Sequence, residues 1–307
     1  MLNPKISKLC FGTLTLSPLQ KNLPVREGAY LLKRAYETGI NFFDTAELYR
    51  NYEYIKQAFL PGDGCTIAAK TYAYNKEGAE KSLDKYLSET GRERAEIFLL
   101  HEQESEHTLR GHGEALEYLV RKKEEGIIGA VGISTHCVHA VTAALKYPQI
   151  EVIHPILNLR GIGIADGTRQ DMEHVLKKAH EHGKFIYAMK PLGGGHLINE
   201  RYAALEYIKN LDFIDSVAIG IGDENELEFN YNFWGSLPIS PETETLTGIS
   251  RRGIMIQNWC ESCGECVKVC KPGALCIKEN KLACDKQKCI LCGYCGAVCK
   301  NMAIKIV

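Results

Sequence analysis

The chain has 307 residues and a formal net charge of −1, with 45% hydrophobic and 24% charged residues. Near-neutrality argues against a general nucleic-acid binder or a basic membrane-surface protein, and no apolar run approaches the roughly 18 residues of a membrane span. The N-terminal Met1-Leu2-Asn3-Pro4-Lys5 lacks a signal peptide's apolar stretch, so the expected location is cytoplasmic. Cysteine is the anomaly: ten of the 13 fall between Cys260 and Val307, which divides the chain into a body and a tail.

Over residues 1–235, short apolar runs alternate with longer amphipathic stretches, the pattern of parallel strands joined by crossover helices. Strands are predicted over 8–11, 40–44, 66–70, 97–101, 130–134, 152–157, 185–190 and 216–220. Helices are predicted over 26–38, 51–59, 76–89, 113–125, 137–146, 168–182, 200–209 and 223–231. Gly39, Gly126 and Gly183 each stand between a helix and the next strand, where a left-handed cap is needed. Eight such units predict a closed (β/α)8 TIM barrel, preferred to an open doubly wound sheet because no glycine-rich phosphate fingerprint follows the first strand.

In such a barrel the chemistry sits at the C-terminal strand ends. Ionisable residues end three consecutive strands: Asp44, Lys70 and His101. Tyr49 follows Asp44 by five residues. A free phenol is a weak acid at neutral pH, and a nearby ammonium such as Lys70 is expected to lower its pKa. Asp44 would hold the Lys70 charge, and His101 would orient a carbonyl oxygen. Together they would protonate an alkoxide as a carbonyl accepts a hydride. A plain Asp44–Lys70 ion pair and a packed core histidine are the bland alternatives; the conjunction on adjacent strands favours chemistry.

The run Gly39-Ile40-Asn41-Phe42-Phe43-Asp44-Thr45-Ala46-Glu47-Leu48-Tyr49 closely resembles the signature of the aldo-keto reductase family, and the resemblance extends over residues 1–235. It implies a catalytic tetrad of Asp44, Tyr49, Lys70 and His101 and a bound NAD(P)(H). By the same resemblance, Gly12 and Thr13 fall at the first strand end. Ser134 and Thr135, with His154 and Asn158, fall around the nicotinamide. Lys190, Pro191, Leu192 and Gly193 fall under the pyrophosphate, and Gly220 to Asn230 at the adenosine end. That last segment departs from the family pattern. It carries Asp223, Glu224, Glu226 and Glu228 and no basic residue, which speaks against a preference for NADP. The same acids also suit the N-terminus of the last helix.

Residues 236–258 read as a connecting segment with one short helix. Then Cys260-x2-Cys263-x2-Cys266-x3-Cys270 recurs as Cys289-x2-Cys292-x2-Cys295-x3-Cys299, 29 residues later, with half of the 18 aligned positions identical. This is the bacterial ferredoxin run for two [4Fe–4S] clusters, in which the fourth cysteine of each run ligates the other cluster. One cluster is assigned to Cys260, Cys263, Cys266 and Cys299, the other to Cys289, Cys292, Cys295 and Cys270. Zinc is the weaker alternative, because its sites pair Cys-x2-Cys units rather than triplets. The tail, residues 259–307, is therefore expected to be a small α+β two-cluster ferredoxin-like domain. It is formally +4, against about −5 for the rest of the chain, and that surplus balances anionic clusters. Cys276, Cys284, Cys10, Cys65 and Cys137 read as packing residues.

Clusters pass single electrons and nicotinamide exchanges hydride, and the chain carries no flavin fingerprint. Three readings follow. The first is a nicotinamide-linked carbonyl or alcohol oxidoreductase whose tail transfers electrons or docks a redox partner protein. The second has the clusters reduce a substrate in the barrel directly, with Tyr49 as proton donor. The third is chiefly an electron carrier, which the complete tetrad argues against.

Overall fold

The computed structural model describes residues 6–248 and 252–307. Residues 1–5, inspected above for a leader, and 249–251 of the connecting segment lie outside them. Eight parallel strands close into a barrel in sequence order: β1 (Leu9–Gly12), β2 (Phe42–Asp44), β3 (Thr66–Thr71), β4 (Ala95–Leu100), β5 (Ile128–Thr135), β6 (Val152–Pro155), β7 (Phe185–Met189) and β8 (Ser216–Gly220). The β1–β8 ladder, Leu9 opposite Val217 through Gly12 opposite Gly220, is the closing seam. Every predicted strand is present. His101 and Lys190 lie one residue beyond the ends of β4 and β7 rather than within them.

The helices are α1 (Val25–Glu37), α2 (Tyr52–Ala58), α3 (Lys76–Thr90), α4 (Glu106–Gly111), α5 (Gly113–Glu124), α6 (Val138–Ala144), α7 (Arg169–Glu181), α8 (Arg201–Lys209), α9 (Glu224–Trp234) and α10 (Pro241–Leu246). Helix starts follow local chemistry. The Thr168 hydroxyl accepts the Asp171 N–H as Asp171 reaches back, a capping box for α7. Asp223 caps α9 through the Glu226 N–H at 2.9 Å. Gly126 and Gly183 adopt φ of 82° and 76° at the helix-to-strand turns, where a side chain would be strained. Only α4 was not anticipated.

Two apolar layers result. Cys10, Phe42, Ala68, Ile97, Leu99, Ala130, Val152 and Tyr187 fill the barrel interior, and a larger core lies between strands and helices. Cys65 and Cys137 are buried in that outer core, as the packing reading expected.

The cysteine-rich segment folds as two repeats. Strand β9 (Ile254–Ile256), in the stretch read as connector, pairs antiparallel with β12 (Ile304–Ile306); β10 (Leu275–Lys278) pairs with β11 (Lys281–Cys284). Helices α11 (Glu265–Lys268) and α12 (Tyr294–Ala297) follow Gly264 and Gly293, at φ of 82° and 80°. The 29-residue repeat of the sequence is thus also a repeat of backbone conformation.

This segment docks on the barrel mouth. Met302 is buried in the outer barrel core. A Cβ on Gly195 would strike the Ile306 carbonyl, and one on Gly296 the His196 ring. The His196 Nε2 lies 2.8 Å from the Ile304 carbonyl oxygen.

Candidate active site

Asp44, Lys70 and His101 each stand two residues beyond an inward-facing residue: Phe42, Ala68 and Leu99. Strand side chains alternate with a period of two, so all three are aimed into the top of the barrel. Tyr49 ends the single 3-10 turn that follows β2. The Lys70 Nζ donates to the Asp44 carboxylate at 2.7 Å and to the Thr45 carbonyl at 2.7 Å. It lies 4.9 Å from the centroid of the Tyr49 ring, and the His101 ring meets Tyr49 edge-on at 6.0 Å. The four residues predicted from the sequence therefore converge.

Their electrostatics differ from the sequence expectation at one point. Burial, then the charges of Asp44 and Glu102, push the Tyr49 phenol well above its ordinary value. The Lys70 ammonium, engaged by Asp44 and the Thr45 carbonyl, does not offset that rise. Tyr49 is a protonated donor, not a phenolate. Burial also pulls Lys70 down, against the opposing pull of Asp44. Burial, then Lys70 and three further basic side chains, holds His101 well below its ordinary value. Its imidazole is neutral, and its Nδ1 is buried without a hydrogen-bond partner, an unsatisfied atom of the kind that functional sites retain.

Sequence reasoning missed Tyr187. Its hydroxyl donates to Asp44 at 3.0 Å, and its ring stacks on His154 at 3.8 Å. The available signal was strand parity: Phe185, Tyr187 and Met189 alternate inward on β7. Burial lowers His154 to about 4, against the attraction of Asp44.

Asp44 and Tyr49 open on a cleft of 190 Å³. Gly12, His154, Lys190, Pro191, Leu192, Gly220 and Asn230 line it, as the resemblance implied. Thr13, Ser134, Thr135, Asn158 and Gly193 do not. The Thr13 hydroxyl donates to the Asp44 carbonyl, and the Ser134 hydroxyl accepts the Glu102 N–H. Thr135 caps the Cys137 N–H, and Asn158 brackets both backbone groups of Ile162. These side chains brace the strand ends and loops from behind.

The far end of the cleft also differs from the local sequence. Glu226 accepts the Gly222 N–H at 2.7 Å and pairs with Arg252 at 2.8 Å and Lys21 at 3.7 Å. Asp223 is the cap of α9. Glu228 accepts the Thr243 hydroxyl at 3.0 Å and Glu224 hydrogen-bonds Tyr30, so all four acids are engaged, and Lys21, Arg201 and Arg252 line the cleft from distant segments. The basic side chains absent from residues 220–230 are supplied by tertiary structure.

Residues 8–240 match the model of the aldo/keto reductase family. The chain belongs to that family. Solved structures agree on the fold. An aldo-keto reductase structure from Pseudomonas aeruginosa is 22% identical, with a TM-score of 0.65 over 77% of this chain and 94% of its own. Aldo-keto reductase AKR11C1 from Bacillus halodurans, in its holo form, is 19% identical with a TM-score of 0.65 over 79% and 91%. The thermostable aldo-keto reductase Tm1743, bound to the inhibitor epalrestat, is 19% identical with a TM-score of 0.60 over 79% and 94%. No curated protein matches significantly. This aldo/keto reductase is an oxidoreductase of the family type, and no helix among its described residues is long and apolar enough to cross a membrane.

In this aldo/keto reductase the family match ends before the clustered cysteines. Cys270, Cys289, Cys292 and Cys295 line one small cavity with Ile254 and Ile306. Burial, then Cys299, Cys260 and Cys263, raises the Cys266 thiol to about 11. The Ala274 N–H points at the Cys270 Sγ at 3.2 Å, and the Ala303 N–H at the Cys299 Sγ at 3.3 Å. Among the described residues no three His, Cys, Asp or Glu side chains close around a single ion. Cys284, read as a bystander, lies beside Cys289 and Cys270, which with burial raise it to about 11.

Proposed function

We propose that this aldo/keto reductase interconverts a small carbonyl compound and its alcohol with a nicotinamide cofactor, and that its C-terminal region carries two [4Fe–4S] clusters. In this reading residues 1–235 form the catalytic barrel, 236–258 connect, and 259–307 form a ferredoxin-type domain that transfers electrons or docks a redox partner. The convergence of Lys70 and His101 on Asp44 and Tyr49, which themselves line one cleft, carries the proposal. When bound, the nicotinamide supplies hydride and the clusters supply single electrons.

The fit of each group rests on donor sets. For the nicotinamide, the cleft runs from Tyr49 past Lys190–Leu192 to Asn230, whose buried Oδ1 has no partner. For the clusters, support comes from Cys270, Cys289, Cys292 and Cys295 lining one small cavity and from two backbone N–H groups directed at the Cys270 and Cys299 sulfurs. Cys263 and Cys292 are exposed, which suits a redox partner.

The chain's own task is proton delivery. Reduction by hydride needs one proton on the carbonyl oxygen, and Tyr49 holds one. The neutral His101 donates a hydrogen bond that orients that oxygen. Lys70, fixed by Asp44, keeps positive charge against the phenol as it turns toward phenolate.

A second reading is favoured by one observation: Ile306 lines both the catalytic cleft and the cavity of Cys270, Cys289, Cys292 and Cys295. The two cavities share that wall residue, and in this reading electrons pass there directly to a substrate. That route needs two protons from the chain, and beside Tyr49 the second donor would be a histidine held neutral, so the hydride reading stands first.

Anaerobic titration with NADH and NADPH, with iron and sulfide analysis of the same sample, tests the proposal. We expect saturable nucleotide binding and about eight irons per chain. Failure of both nucleotides to bind sinks the hydride reading. Absence of bound iron and sulfide sinks the ferredoxin assignment.

A further inference from the structure

The C-terminal strand does more than dock. Lys305, in the middle of β12, is 6% exposed and lines the catalytic cleft. Among the described residues its ammonium makes no hydrogen bond and no ion pair; its one contact of note is the Trp259 ring, 5.2 Å away. Lys190 lines the same cleft, one residue past β7. Its backbone is held at φ 57°, a left-handed conformation that costs a non-glycine residue energy and that persists chiefly at functional positions. Lys190 likewise has no carboxylate partner, and its Nζ lies 2.7 Å from the His136 Nε2. The acid whose charge acts on both lysines is Glu102, and its carboxylate accepts the Tyr72 hydroxyl at 2.6 Å.

Two ammonium groups thus share a desolvated cleft and repel each other. Burial, then Lys305, lowers Lys190 to about 7; burial lowers Lys305 to about 8. Buried charges in folded proteins are normally paired, and here the partner is missing. The Lys190 ammonium reaches His136, one residue past β5 and beside the strand that leads to His101, so it faces the catalytic end rather than Lys21 and Arg252.

We propose that Lys305 and Lys190 form an anion subsite that receives the carboxylate or phosphate of a small anionic carbonyl substrate. The cysteine-rich region then completes the substrate pocket of the barrel. This rests on the carbonyl-reduction reading above. The same chemistry would suit the pyrophosphate of a nucleotide, and the test separates the two.

The probes are 4-carboxybenzaldehyde, its neutral isostere 4-nitrobenzaldehyde, and NADH, titrated calorimetrically into the iron-loaded full chain under anaerobic conditions. Wild type is expected to bind the carboxylate at least tenfold more tightly than the nitro compound. Lys305→Met should erase that preference, Lys305→Arg should restore most of it, and NADH affinity should change less than twofold in both. Lys305→Gln serves as the second test should Lys305→Met fail to fold. Equal affinities in wild type overturn the proposal. So does a Lys305→Met protein that keeps the preference, or one that loses NADH instead. If the carboxylate is preferred in binding but neither aldehyde is reduced, the subsite stands and the carbonyl-reduction reading falls. If both are reduced without preference, the reverse holds.

Discussion

The barrel and the cysteine-rich region are stabilised by different means. The barrel buries two layers of aliphatic and aromatic side chains across more than 200 residues. The C-terminal region has a core of four buried side chains, Cys266, Leu275, Leu282 and Ile304, with further cysteines packed around it. A core of that size supplies little net stability by itself, and small domains of this kind need staples. The barrel is therefore held by extensive burial and the tail by a small core alone unless its cysteines bind the proposed clusters, and the two meet at the site where chemistry is proposed.

The largest expected effect tests that contrast directly. Iron removal, or Cys266→Ala, should unfold the tail and leave the barrel folded. Limited proteolysis would then cut after the connecting segment while the helical circular dichroism persists. A tail that resists protease without iron would show that its small core suffices.

Next comes the catalytic contrast. Tyr49→Phe should lower carbonyl turnover by about 10²–10⁴, the range for loss of a general acid, with iron content unchanged. Turnover within tenfold of wild type would remove Tyr49 as the proton donor.

The barrel should also be the acid-sensitive partner. His154 is held neutral at about 4, against about 6.5 when unfolded. It therefore contributes stability that is fully present above pH 6.5 and is lost as pH falls toward 4, about 3 kcal/mol in all. Urea unfolding of wild type and His154→Gln between pH 7 and 4 measures it; identical pH slopes would refute it.

The smallest effect concerns the joint. Gly296→Ala puts a methyl into the His196 ring, and overpacking costs about 1–3 kcal/mol. Hydrogen exchange should rise in the loop at Gly193–Gly195 with iron retained. Unchanged exchange would mean that docking does not depend on this contact.

Much of the barrel was legible because its signals are local. Each strand is an apolar run with its own bounds, and Asp44, Lys70 and His101 follow from parity along single strands. Helix α4 was missed because its polar residues resemble a loop. Its local cue was the Ser105 and Thr108 capping box with Leu109 behind it. The cofactor-end assignments were mixed for a different reason. Similarity places a residue on a strand end but does not tell whether its side chain faces the cleft or braces the backbone, as Ser134, Thr135 and Asn158 do.

The sequence by itself determined the barrel, the tetrad and the 29-residue cysteine repeat, since periodicity and spacing are properties of neighbours along the chain. Only the tertiary structure decided what faces the cleft from far away. Tyr187 reaches Asp44 across 143 residues, Arg252 and Lys21 answer the acids of α9, and Lys305 enters from the last strand. Those meetings depend on how the tail packs over the barrel mouth, and packing between distant segments leaves no periodic mark in the sequence. The cysteine spacing of the tail could be read from the sequence; that its last strand also forms a wall of the cleft below it could not.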